Sequence, residues 1–209
     1  LRANNYGNSD YDIRHNFAAD FVVAPKFHLG NRLVNALADG WNLGGKVFWH
    51  SGLPFSILDG NSALGNGGGS ILGTPIAAGG QSGSCGRGNN DVDGVPCLNA
   101  AAFFNGATAS TYPGWSPQTR NQYRGSNFFD TDITFYRDFR LTERFKVSAG
   151  LQAFNVFNHP NFGLPDATLG DSTFGQISGM ATTPTTPYGN FLGFDSSPRA
   201  VQLSAKLTF

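Results

Sequence analysis

Val201-Gln202-Leu203-Ser204-Ala205-Lys206-Leu207-Thr208-Phe209 alternates apolar and polar residues without a fault. A period of two is the mark of a β-strand. It puts Val201, Leu203, Ala205, Leu207 and Phe209 on one face and Gln202, Ser204, Lys206 and Thr208 on the other. Such a strand divides hydrocarbon or a core on one side from water on the other.

The pattern recurs upstream. Phe129, Thr131, Ile133, Phe135 and Phe139 alternate with Asp130, Asp132, Thr134, Tyr136 and Asp138, and Arg137 alone interrupts the apolar face. A long arginine can snorkel to a membrane interface, so Arg137 fits a place towards the strand's end. After a turn over residues 141–144, Phe145, Val147, Ala149 and Leu151 alternate with Lys146, Ser148, Gly150 and Gln152, which predicts a tight hairpin. Phe-Asn-Val-Phe at 154–157 blurs the alternation and reads as either a bulge or an aromatic girdle. Two weaker strands precede these. One runs Phe17, Ala19, Phe21, Val23 and stops at Pro25; the other runs Trp41, Leu43, Gly45, Val47, Trp49.

The connections between strands are unequal in a regular way: medium over 25–40, very long over 59–124, very short over 141–144 and long over 158–197. Alternating short and long connections are the habit of bacterial outer-membrane barrels, with short turns in the periplasm and long loops outside. Five strands are too few to close such a barrel, which has at least eight. The expectation is therefore an all-β chain, residues 1–209 forming about five C-terminal strands of a larger antiparallel transmembrane β-barrel with two long extracellular loops. An open edge would precede the first strand.

Composition agrees. Charged residues make up only 13% of the chain, against about 25% in an average soluble domain, while there are 28 Gly and 19 Phe. Fourteen basic and fourteen acidic side chains cancel, so no net field draws nucleic acid. No apolar run is long enough for a transmembrane helix, and the first residues lack the features of a secretion signal. Cys85 and Cys97, both in a Gly-rich polar stretch, suit an oxidising compartment and one loop staple, the alternative being two unpaired thiols. With the disulfide formed, neither thiol is alkylated in non-reduced protein taken from cells; quantitative alkylation of both counts against it.

Several stretches resemble a known family. They are Tyr11-Asp12-Ile13-Arg14-His15-Asn16-Phe17, Gly40-Trp41-Asn42-Leu43 leading to Ser51-Gly52-Leu53-Pro54-Phe55, Phe154-Asn155-Val156-Phe157-Asn158-His159-Pro160-Asn161-Phe162-Gly163, and Ser197-Pro198-Arg199 before the last strand. In order and over nearly the whole chain they resemble the C-terminal barrel strands of TonB-dependent receptors with a carboxypeptidase-regulatory-like N-terminal domain, abundant in acidobacteria. The resemblance implies a 22-stranded plugged barrel in the bacterial outer membrane that imports scarce ligands with energy from the TonB complex. Plug, TonB box and regulatory-like domain would lie before Leu1. The implied partners are outer-membrane lipid, the TonB complex, the barrel-assembly machinery and a small-molecule, sugar or peptide ligand.

Signals for other chemistry are incomplete. Gly40 to Lys46 fits the first seven positions of a P-loop, but Val47 stands where the Mg²⁺-binding hydroxyl belongs and a strand follows instead of a helix. His15, His28, His50 and His159 are dispersed without metal-ligand spacing, and His15 and His159 read as structural groups near a strand mouth. Asp91-Val92-Asp93-Gly94 offers oxygen ligands for a loop Ca²⁺ but lacks the closing Glu, which favours a solvated turn. No serine or cysteine sits in a nucleophile-elbow context, so neither catalysis nor a cofactor is expected. Trp41, Trp49, Phe128, Phe129, Phe154 and Phe157 suit interfacial aromatic belts, or equally the core of a soluble β-sandwich.

Function then divides into three classes: a transporter barrel, a barrel anchoring an adhesin or passenger domain, and a soluble sandwich or jelly-roll binding module. In the first, Asp130, Asp132, Lys146, Gln152, Gln202 and Lys206 face the lumen, in a mixture of charges that suits a sugar, peptide or metal chelate equally. By the family resemblance, Val201, Leu203, Leu207 and the terminal aromatic Phe209 belong to the signal read by the assembly machinery. Deleting Phe209, or Phe209→Asp, is expected to lower the amount of folded full-length barrel, with ligand affinity unaltered once it is assembled. Heat-modifiable gel mobility in outer-membrane fractions, with Phe209→Leu alongside, measures it; unchanged levels in all three remove the assembly role.

Overall fold

The computed structural model describes residues 7–26, 34, 39–59, 71–73, 79–81, 97–104, 120–181 and 198–209. Among them run strands β1 (Asn16–Val23), β2 (Trp41–His50), β3 (Pro54–Phe55), β4 (Leu58–Asp59), β5 (Ile71–Leu72), β6 (Tyr123–Arg124), β7 (Phe128–Arg140), β8 (Lys146–Phe154), β9 (Thr168–Leu169) and β10 (Ala200–Thr208). They divide between two compact units, a sheet unit and a unit made of the long connections.

The sheet unit holds the five long strands in the order β1-β2-β7-β8-β10, so each pairs with the next long strand in sequence. β7, β8 and β10 are antiparallel, with Phe135 opposite Leu151 and Leu151 opposite Leu203. β2 runs antiparallel to β7 as well: Trp41 stacks on Phe135 with ring centroids 4.3 Å apart, a Cβ on Gly44 would touch Thr134, and His50 stacks on Phe128.

Because directly opposed residues share a face, this register joins the separate alternations into two continuous surfaces. The apolar one carries Ile133, Phe135 and Phe139 beside Ala153, Leu151 and Val147, and then Val201, Leu203 and Leu207. The polar one carries Thr134-Gln152-Gln202, Tyr136-Gly150-Ser204 and Asp138-Ser148-Lys206 as cross-strand rows. Every residue of β10 is exposed on both faces, Leu203 at 79%. On β2 the ring of Phe21 occupies the space that a Cβ on Gly45 would fill, so an aromatic from the neighbouring strand covers the glycine.

The connections hold the apolar core. Ile57, Phe103, Leu169 and Cys97 are its most deeply buried side chains, joined by Phe55, Leu98, Ala102, Tyr123, Phe174 and Ile177. Phe103 meets Tyr123 and Phe174 edge-on at 5.7 and 6.3 Å. Short ladders tie these residues: β3 pairs β6 antiparallel, and β4 pairs β5 antiparallel and β9 in parallel. The described parts of both connections contribute apolar side chains to one core and bury them together.

Candidate functional site

The polar face of the sheet is where the sequence places its ligand-facing residues. Gln152 and Gln202 lie opposite each other, with Thr134 completing the row, and Lys206 lies opposite Ser148. Lys146 is engaged by Asp138, whose carboxylate takes its ammonium at 2.7 Å and accepts the Ser148 hydroxyl at 2.5 Å. Asp132 accepts the Asn155 backbone N–H at 3.1 Å and so fastens the turn that follows β8. Asp130 precedes it by two positions on β7, on the same face by alternation. The sequence reading overlooked Asp138 as the partner of Lys146, although register shows it: Asp138 opposes Ser148, which is two residues along from Lys146.

The residues that carry the family resemblance build the strand ends. Phe154 closes β8, and the chain turns at Asn155, whose side chain donates to the His159 carbonyl at 3.0 Å and accepts the His159 N–H at 2.9 Å. Asn155 and Asn158 hold φ of 46° and 50°, a left-handed conformation that asparagine tolerates better than most side chains. Asn158 accepts the Arg199 backbone N–H at 3.0 Å, which brings Pro198-Arg199 to this turn, and Phe129 packs against Phe157 and His159. The run at 154–157 is thus a strand end and a turn.

In the connection unit a second polar node went unseen in the sequence. Asn121, 2% exposed, donates to the Asn8 carbonyl at 2.7 Å and to Asp10 at 2.6 Å, and its backbone N–H goes to the Ser56 hydroxyl at 2.9 Å. Arg124 grips both the carboxylate and the backbone carbonyl of Asp12, and Gln81 brackets the Arg124 backbone. Segment 7–15 is thereby fixed to residues more than a hundred positions away, a separation at which no sequence pattern signals a pair. His15 joins this framework through Ser51, which donates to the His15 carbonyl and accepts its N–H. His28 and the Asp91 to Gly94 run lie outside the described residues. Cys97 is buried in the core and disulfide-bonded; Cys85, its expected partner, also lies outside the described residues.

Burial pushes the Tyr123 phenol above the ordinary tyrosine value. The fold therefore favours the neutral phenol: its contribution to stability is complete below about pH 10 and is lost as pH rises through the raised folded value. An ultraviolet titration of the full-length protein and of Tyr123→Phe is expected to differ by one late-ionising phenol. A difference centred at the ordinary value would refute this.

Antiparallel strands with one uncovered apolar face, one polar face and a built-up set of long connections define a membrane-spanning β-barrel wall. The chain matches the family described as outer membrane beta barrel domain over residues 1–202, and it belongs to that family. The family places it in the bacterial outer membrane. No curated protein matches the chain, and no solved structure does.

Proposed function

We propose that this chain forms part of the barrel of a TonB-dependent receptor that takes up a ligand from outside the cell. The observation that carries the reading is the fold of the long connections. By the habit of bacterial barrels they lie on the outer side, and here they build a compact unit with its own core and polar node. A barrel that only anchors a passenger has no need of such a unit, whereas a receptor needs an ordered outer surface to recognise its ligand. The four family-like segments support the same reading. The chain's role on this proposal is transport and not catalysis.

Energy coupling is the testable part. Full-length protein extracted from outer membranes in detergent is expected to co-purify with the periplasmic domain of TonB and to lose it when competed with a TonB-box peptide. A full-length protein that never retains the TonB domain overturns the proposal and favours the anchoring barrel.

A further inference from the structure

Cys97 has no exposed surface, and its sulfur is one half of a disulfide. Cys85 is the only other cysteine of residues 1–209, which leaves it as the partner. The surroundings of Cys97 come from both long connections. Its backbone N–H donates to the Gly175 carbonyl at 3.2 Å, Leu98 bridges to Gln81, and the Asn99 N–H donates to the Gly80 carbonyl at 3.0 Å. Ile57, Phe103, Leu169, Phe174 and Ile177 belong to the same buried core.

Burial decides when this bond can form. A disulfide is made by exchange, in which a thiolate attacks an oxidant's disulfide and a mixed disulfide precedes the internal bond. A sulfur with no exposed surface admits no second protein. Phe174, Gly175 and Ile177, which help to close the core, follow Cys97 in the chain with the β7–β8 hairpin in between, so an exported chain presents Cys97 before they arrive. Once the barrel is inserted, the long connections lie on the outer side by the habit of bacterial barrels. No periplasmic protein reaches them there.

We infer that Cys85 and Cys97 are oxidised in the periplasm by a protein dithiol oxidase before the connection core closes, and that the closed core then shields the bond from exchange. One cysteine thiolate attacks the oxidase disulfide and releases one oxidase thiolate; the second cysteine then attacks the mixed disulfide and releases the other. Two electrons and two protons from the cysteine thiols leave with the reduced oxidase. The bacterial periplasm is kept oxidising by such enzymes and not by a thiol buffer, which makes the oxidant an enzyme. The inference rests on the outer placement of the connections and not on the ligand they recognise.

Pulse-labelled cells producing the full-length protein, acid-quenched and alkylated in denaturant with a mass-adding reagent, test the order of events, with Cys85→Ser as the reference for a chain without the bond. The oxidised form is expected before the heat-modifiable barrel, and it is expected to be lost in cells lacking the periplasmic dithiol oxidase. A bond that appears only after the folded barrel, or equally fast without the oxidase, overturns the inference. Shielding has its own readout. In isolated outer membranes, dithiothreitol is expected to reduce the bond about a hundredfold faster in Phe103→Ala, whose cavity opens the core, than in the unsubstituted protein. Should Phe103→Ala fail to assemble, Ile57→Val is read in its place, with an acceleration of about three- to tenfold. Equal reduction rates in variant and unsubstituted protein overturn the shielding.

Discussion

Leu203→Arg is expected to destabilise the membrane-inserted protein by about 2–4 kcal/mol if Leu203 sits near the bilayer midplane, and less towards either interface. Leu203 stands in the row Phe135-Leu151-Leu203, and no described residue of the sheet unit covers it. An arginine there has only hydrocarbon to enter. Ser204→Arg is the matched control, since Ser204 belongs to the polar row with Gly150 and Tyr136 and is itself exposed. Denaturant titration of full-length protein folded into lipid vesicles measures both. Equal losses in the two variants would mean that the faces are assigned the wrong way.

Phe103→Ala is expected to cost about 3–5 kcal/mol, the usual range for emptying a buried phenylalanine site. Its effect should be confined. Phe103 is almost fully buried between Tyr123 and Phe174, and it belongs to the connection unit. The variant should therefore expose the connections to limited proteolysis and hydrogen exchange while the heat-modifiable mobility of the barrel stays as it was. If protease resistance of the connections is unchanged, this core is not what orders them.

The two units differ in how far the sequence exposes them. The long strands were legible because period-two alternation runs along β8 and β10 and, but for Arg137, over residues 129–139 of β7, and a one-residue slip would throw every apolar side chain onto the wrong face. The connection core offered no such signal. Phe55 and Ile57, Phe103, and Leu169 and Phe174 come from three separate stretches of the chain, and the ladders that tie these stretches are two residues long. Only the tertiary fold makes them neighbours. The lumen-facing residues fall between these cases: alternation gave their face, whereas the pairing of Lys146 with Asp138 and the use of Asp132 to hold Asn155 depend on register and on a turn. Asn121 and Arg124 were invisible for a simpler reason, since a polar residue destined for burial looks like any surface residue until its partners at positions 8, 10 and 12 are known.

The parallel pairing of β4 with β9 puts Leu58 beside Thr168 and Asp59 beside Leu169, with Ile57 and Leu169 in one core. The two long connections are consequently a single heritable module. Grafting residues 51–127 alone from a relative would deliver half a core and strand Leu169, Phe174 and Ile177 against a stranger's surface, exposing an apolar patch that invites aggregation. Recombination, natural or engineered, is expected to succeed only when it carries 51–127 and 161–181 across together with segment 7–15, whose Asp10 and Asp12 hold Asn121 and Arg124, although the strand hairpin lying between them in sequence can stay behind.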